Sequence, residues 1–260
     1  MNCTKYVYGG ASVKGYGAAY SLDETHARLN LLVCPRHRRL GIGTLLLEAV
    51  EAEIRLEGKA YLQARLLEGM DEGLLFALSR GFMEIHRMRG MSLRAGDFNF
   101  DKWKGLGERL SRQGFRVTTF KDEDEAGNTP VERLAELSRH AREGWPLPDP
   151  TWKYETSEER LRSPFTNPAA PERFSIMKFG DEYVGFTSAD RSNMSGTGVD
   201  PRYRGRGIAT YLKAYDIKRC VEAGHEYFES SSANPAMLRV NEKLGYRFNG
   251  LTEIRLLKYL

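Results

Sequence analysis

Cysteine is scarce in this chain. Its 260 residues hold three (Cys3, Cys34 and Cys220), an odd number without metal-like spacing. That argues against a disulfide framework or a metal ribbon, and it predicts free thiols in a reducing cytoplasm and no metal. Long hydrophobic runs are also missing. No segment approaches the ~20 apolar residues that span a bilayer, so no membrane association is expected. The N-terminus has no charged stretch leading into an apolar one, so no signal peptide is expected. Charge of one sign is not in large excess, and a net charge of +4 is too small for a nucleic-acid partner. The common phosphate motifs are incomplete. No Gly-Lys-Ser/Thr follows the glycine-rich turn at Gly205–Gly207, which rules out a P-loop. That turn also lacks the third glycine and the distant acid of a dinucleotide fingerprint. What remains is 41% apolar and 28% charged, the make-up of a folded globular chain long enough for one large domain or two ordinary ones.

A repeat decides between the two. Val33-Cys-Pro-Arg-His-Arg-Arg-Leu-Gly-Ile-Gly-Thr44 recurs 166 positions later as Val199-Asp-Pro-Arg-Tyr-Arg-Gly-Arg-Gly-Ile-Ala-Thr210, with seven of twelve residues identical. Each copy ends a β-rich stretch and opens a helical pattern. Ile42, Leu45, Leu46, Ala49, Val50 and Ile54 recur at three- and four-residue steps, as do Ile208, Tyr211, Leu212 and Tyr215. A glycine-bearing, arginine-rich turn at a helix N-terminus suits an anion, because unpaired N–H groups and the positive helix end converge there. Backbone approach is eased at Gly207, which has no Cβ. Two such turns predict a duplicated domain that grips a phosphorylated ligand.

Around the turns the pattern reads β-β-β-α-β-α-β over residues 4–93 and β-α-α-β-β-β-α-β-α-β from residue 115 onward. Gly9-Gly10 and Gly180-Asp181 mark hairpins. Residues 96–114 read as a linker with a helix near 101–112. Pro130 opens a helix to about Arg142, Pro146, Pro148 and Pro150 lie in a loop, and Ser157 is a candidate cap for a short helix to Arg162. The expected fold is α/β (α+β): two tandem domains, each a mixed, largely antiparallel sheet flanked by helices. The first domain lacks the opening strand and helices of the second. Expected boundaries are 1–95, a linker at 96–114, and 115–260.

These residues resemble the GCN5-related N-acetyltransferases (GNAT superfamily). That family's acetyl-CoA signature, Arg/Gln-x-x-Gly-x-Gly/Ala, is matched by Arg204-x-x-Gly207-x-Ala209 and by Arg38-x-x-Gly41-x-Gly43. A second family element on the last helix is matched by Asn234, Met237, Asn241 and Leu244-Gly245-Tyr246. The resemblance covers residues ~115–260 fully and ~4–95 partly, and the layout is that of a tandem member. It implies acetyl-CoA as cosubstrate, an amine acceptor, and direct attack of the amine on the thioester in a ternary complex. It implies that Gly198 and Val199 pair with the pantetheine arm and that Arg204, Gly205, Arg206, Gly207, Ile208, Ala209 and Thr210 hold the pyrophosphate. Asn234 and Asn241 then lie along the CoA. Val33, Arg38, Gly41, Gly43 and Thr44 form the corresponding set in the first copy. A monomer with an internal pseudo-dimer, or a homodimer, is expected.

The chain departs from the family pattern at its chemical positions. Many members carry a tyrosine where this chain has Asn241, which cannot act as an acid. Candidate catalytic groups are therefore Asp190 and Glu229 on strands beside the expected cleft, and Tyr211 as an alternative acid. Glu155 and His140 are further candidates on the acceptor side, while Cys34 reads as a small strand residue. Trp145, Trp152, Tyr154 and Phe165 stand either in an aromatic acceptor wall or in the core. In the first copy Ala77 takes the Asn241 position and Met70 falls near the Asn234 position, so residues 115–260 are expected to catalyse. The alternative is a non-catalytic acyl-CoA sensor or interaction module.

Overall fold

The computed structural model describes residues 3–10, 12–142, 151, 158–166, 174–188 and 196–260. The chain forms two compact units. The first takes residues up to 88 together with 252–260, and the second takes the described residues from 89 to 251.

In the first unit β1 (Cys3–Gly9), β2 (Val13–Ser21) and β3 (His26–Val33) form an antiparallel meander. Next come α1 (Ile42–Leu56), β4 (Tyr61–Leu67), α2 (Asp71–Ser79) and the start of β5 (Met83–Arg94). The apolar stripe of α1 buries Leu46, Leu47, Val50 and Ile54 on one sheet face, against Ala27, Leu29, Leu62 and Ala64. The helix ends where Gly58 takes φ +76° and Lys59 N–H returns to the Ile54 carbonyl. β3 and β4 pair in parallel only from His26↔Tyr61 to Arg28↔Gln63. The far edge of β4 is covered by β11 (Arg247–Tyr259), antiparallel from Glu253↔Leu67 to Tyr259↔Tyr61.

In the second unit the end of β5 is followed by α3 (Asp101–Arg112). Leu110 of this helix is buried among Phe115, Met177, Val184 and Leu212, so the segment expected as a linker is part of a core. β6 (Phe115–Thr119), β7 (Phe174–Phe179), β8 (Glu182–Ser188) and β9 (Thr197–Val199) form an antiparallel sheet in that order. One face packs on α7 (Ile208–Glu222). The other packs on α4 (Phe120–Glu125), α5 (Pro130–Ala141) and α6 (Glu158–Arg162), with Leu134, Leu137, Leu161 and Phe165 buried there. β10 (Tyr227–Ser232) pairs with Arg89–Arg94 of β5, and α8 (Pro235–Leu244) covers it through Leu244 and Asn241. Among the described residues no pairing joins β9 to β10, so β9 is a free sheet edge.

Besides the expected linker, which lies inside the second unit, the units differ from the expected boundaries at two ends. Thr252–Leu260 belongs with residues 1–88, and Arg89–Arg94 belongs with the second unit. Strand pairing explains this: Glu253–Tyr259 of β11 pairs with β4 of the first unit, and Arg89–Arg94 of β5 pairs with β10 of the second. α4 was not expected from the sequence. It starts at a capping box in which the Thr119 side chain accepts from Asp122 N–H and the Asp122 carboxylate accepts from Thr119 N–H.

Candidate functional site

The two repeated turns have one backbone conformation. Each starts with a residue at almost the same dihedrals, Cys34 (φ −51°, ψ 131°) and Asp200 (φ −52°, ψ 131°). A single 3-10 turn follows, Pro35–His37 or Pro201–Tyr203. Two left-handed residues come next: Arg39 (φ 62°) and Gly41 (φ 79°) in the first copy, Gly205 (φ 78°) and Gly207 (φ 92°) in the second. Arg39 thus holds, without being glycine, the strained conformation that Gly205 takes freely. The helix then begins, with Leu45 or Tyr211 as the first amide bonded back to the turn glycine's carbonyl. The amides of Gly205 to Thr210 have no protein acceptor among the described residues, and neither do those of Arg39 to Thr44. A curl of unpaired N–H groups at a helix N-terminus is an anion cradle. No side-chain atom lies within 4 Å of where a Cβ would stand on Gly41 or Gly205, so the cradle is open there.

A second shared device positions each helix. Gly15 stands opposite Val33 and Gly185 opposite Val199. A Cβ on Gly15 would come within 2.8 Å of Ile42 Cγ2, and one on Gly185 within 2.9 Å of Ile208 Cγ2. The missing Cβ lets the first turn of the helix close onto the strand. The sequence repeat did not reveal this pair, because opposition across strands is visible only once register is known.

The strand end beside each turn has a defined polarity. Asp200 N–H donates to the Val184 carbonyl and Ser188 N–H to the Gly196 carbonyl. Backbone groups alternate along an antiparallel ladder. Gly198 therefore faces β8, while the N–H and C=O of Val199 face the free edge. The Val199 carbonyl accepts from Arg204 Nε at 3.1 Å, and Arg204 Nη2 donates to the Ala141 carbonyl at 2.9 Å. Its own N–H goes to Pro201. Arg204 thus frames the turn, and the Val199 N–H is left as the edge donor. In the first copy Arg38 Nε reaches the Val33 carbonyl at 3.4 Å, but its guanidinium pairs with exposed Glu72 at 2.8 Å.

The flanks of the two turns also differ. A Cβ on Gly207 would meet Leu106 Cδ1 at 3.0 Å, and Arg109 Nη2 donates to the Arg206 carbonyl at 3.4 Å, so α3 walls this turn and adds a cation. Neither Leu106 nor Arg109 stood out in the sequence; the apolar Trp103–Leu106–Leu110 spacing was the available signal. The Arg206 guanidinium lies over the rings of Phe115 and Tyr203. Thr210 is buried and Ala209 partly so. In the first copy Gly43 packs on Phe76, and Thr44 Oγ1 accepts from Arg80 Nη2 at 2.7 Å.

The remaining sequence candidates fall in separate places. Asn234 is the N-cap of α8, its side chain accepting from Ala236 N–H at 2.9 Å. Asn241 is fully buried and donates to Ser230 Oγ at 3.1 Å, pinning α8 to β10, while its Oδ1 has no partner. Tyr211 packs against Gly107 of α3 and Phe100, and burial raises its pKa. Glu229 is exposed on β10, on the face opposite Phe228 and Ser230. His140 on α5 stands 3.9 Å from Asp200, a buried carboxylate that Arg202 hydrogen bonds hold below its ordinary pKa. Asp200 is therefore a fixed anion tied to Arg202. Phe165 is core, its ring tilted against Phe174 and edge-on to Phe186. Cys34 is a half-buried free thiol. Asp190, Glu155, Trp145, Trp152, Tyr154 and Ser157 lie outside the described residues. Among the described residues no group of three or more His, Cys, Asp or Glu is arranged to hold a metal, and no helix is long and apolar enough to cross a membrane.

Comparison with known proteins identifies the family and the fold. The model of the Acetyltransferase (GNAT) family matches residues 4–68 and 134–246, one match over each repeat. No curated protein matches the chain in sequence. Among solved structures, a tandem GNAT protein from the clavulanic acid biosynthesis pathway superposes with a TM-score of 0.66 at 19% identity, over 99% of this chain and 83% of that one. A GCN5-related N-acetyltransferase from Sphaerobacter thermophilus superposes with a TM-score of 0.69 at 16% identity, over 95% and 77%. At these identities the likeness is one of fold.

Proposed function

The chain belongs to the Acetyltransferase (GNAT) family, and from that premise we propose that it transfers an acetyl group from acetyl-CoA to an amine of a small molecule or protein. One observation carries the reading: a cradle of amides, Gly205 to Thr210, directly follows a strand edge that presents the Val199 N–H, all of them without an acceptor among the described residues. The residues present fit the cosubstrate. The cradle suits a pyrophosphate, and the unpaired side of β9 suits an amide-bearing arm. The thioester of acetyl-CoA would supply the activated acyl group.

In this reading each residue has a distinct task. The amides of 205–210 and the Arg109 and Arg206 cations hold the anion, and Arg204 keeps β9 and the turn in register. Val199 N–H donates to a carbonyl oxygen brought to the edge, where a fixed donor favours developing negative charge. Glu229 takes the proton of the acceptor amine, with Asp190 as the alternative base. Asn234 and Asn241 act by fixing the cap and seat of α8. Tyr211 is a wall residue.

The second unit does the chemistry. Among the described residues, it alone has helices on the sheet face opposite its turn helix, where an acceptor amine would be walled, and its turn arginine donates to backbone carbonyls. The first unit's turn keeps the cradle, but Glu72 neutralises Arg38.

A second reading, an acyl-CoA sensor without turnover, draws on Asn241 and Ala77 standing where many family members carry an acid. Amine-dependent thiol release from acetyl-CoA, measured over a panel of amines, separates the two. Turnover with any amine that falls at least tenfold in Glu229→Gln supports the transferase. Saturable binding with no thiol release from any amine overturns it.

A further inference from the structure

The geometry points to a second ligand site in the first unit, for a small polyanion bearing carboxylate or phosphate oxygens, built by Arg28, Arg65 and Arg255. It stands independently of the acyl-transfer reading, because that reading puts the chemistry in the second unit, and these arginines belong to the first, on the sheet face turned away from α1. Strand alternation sets this. Ala27, Leu29, Ala64 and Leu256 pack in the core with α1, so Arg28, Arg65 and Arg255 point to the other face.

Three features mark the cluster as a site. First, Arg65 and Arg255 are direct cross-strand partners, a like-charge opposition that destabilises a bare sheet. Second, the carboxylate of Glu253 is shared by two of the guanidiniums, 2.8 Å from Arg255 Nε and 3.6 Å from Arg65 Nη1, and no ion pair to Arg28 is present among the described residues. That leaves an excess of two positive charges. Third, Arg28 Nε is shielded from solvent and has no hydrogen-bond acceptor among the described residues. Buried donors without acceptors are uncommon in native folds. Burial first, and the neighbouring Arg255 second, push the Arg28 and Arg65 pKa values down. An oxyanion between these arginines supplies the missing acceptor and relieves the repulsion.

The cluster remains open to a ligand. The Arg65 side chain is 36% exposed and Glu253 30%. It sits where β3 and β4 stop pairing, just past Arg28↔Gln63, and Asn30, the next residue on this face of β3, is exposed. Its charge excess matches one small molecule with two or more negative charges.

The test uses the full chain at constant ionic strength, titrated by calorimetry with succinate in one arm and inorganic phosphate in the other, against chloride. Saturable binding in either arm is expected, weakened at least tenfold by Arg28→Gln and by Arg65→Gln. The arm that saturates identifies the oxygen chemistry. Thermal melting keeps the test sound if a variant is fragile: Arg28→Met melts at or above wild type without anion and loses the anion-induced gain. Absence of saturable binding in both arms overturns the proposal. So does binding that survives Arg28→Gln and Arg65→Gln.

Discussion

Replacing Gly207 by alanine separates the strain of the turn from its packing. Gly207 has φ +92°, a left-handed conformation that costs an L-residue about 1–2 kcal/mol. Alanine also lowers the entropy of the unfolded chain, which returns about 0.5–1 kcal/mol. The net strain is therefore about 1 kcal/mol. The new Cβ would also come within 3.0 Å of Leu106 Cδ1 and 3.4 Å of Cδ2. A leucine end can rotate, so this adds a fraction of a kcal/mol up to about 1. Gly205→Ala and Gly41→Ala, at φ +78° and +79° with no neighbouring atoms, carry the strain alone. Arg39→Gly reverses it and stabilises by about the same amount, since Arg39 already stands at φ +62°. At roughly 2–4 °C per kcal/mol for a chain of this size, melting by circular dichroism resolves the series. The expected order is Arg39→Gly above wild type, then Gly41→Ala and Gly205→Ala together, then Gly207→Ala. Arg39→Gly melting below wild type would refute the claim that the two turns share one strained conformation.

Two further outcomes follow from buried polar groups in the second unit. Asp216, buried on α7, accepts from Ser175 Oγ and lies 3.4 Å from Arg219 Nη1, and burial raises its pKa to about 7. A raised folded-state pKa means stability present below the unfolded value near 4 and lost as pH rises through about 7. Burial lowers Lys213 to about 8, so its contribution recovers as pH rises from there toward the unfolded value. Urea midpoints should pass through a minimum between about pH 7 and 8, and Asp216→Asn should flatten the acid-side limb. A midpoint rising steadily from pH 5 to 7.5 would contradict this. Thr119→Ala removes the cap of α4 and should cost about 1 kcal/mol in urea unfolding, whereas an unchanged midpoint would deny the capping box any role.

Much of this fold is legible from local pattern. α1 and α7 follow from apolar residues at helical spacing, and the turns before them from a twelve-residue repeat. α4 escapes such reading because Phe120-Lys-Asp-Glu-Asp-Glu is mostly charge. Its helix rests on the Thr119 cap and on two buried residues, Phe120 and Glu123. The exchange of β5 and β11 is hidden for another reason: alternation shows that a strand has a buried face, but not which strand it pairs with. The cradle was visible as glycine and arginine, yet the roles of the arginines were not. Sequence offers Arg204 as a phosphate ligand, while its hydrogen bonds to the Val199 and Ala141 carbonyls make it a brace. Asn241 is similar. Its type suits ligand contact, but burial and Ser230 give it a structural task. Arg109 entered the site through the packing of α3, which no spacing rule links to a turn 97 residues away.

The central claim is that the turn at Gly205–Thr210 carries the working acetyl-CoA. It is tested most directly by amine-dependent thiol release from Gly207→Glu and Gly41→Glu, made separately. A carboxylate beside either cradle repels a pyrophosphate without touching the other copy. Loss of turnover in Gly207→Glu with turnover kept in Gly41→Glu is the predicted result. Turnover kept in Gly207→Glu, or lost only in Gly41→Glu, would contradict it.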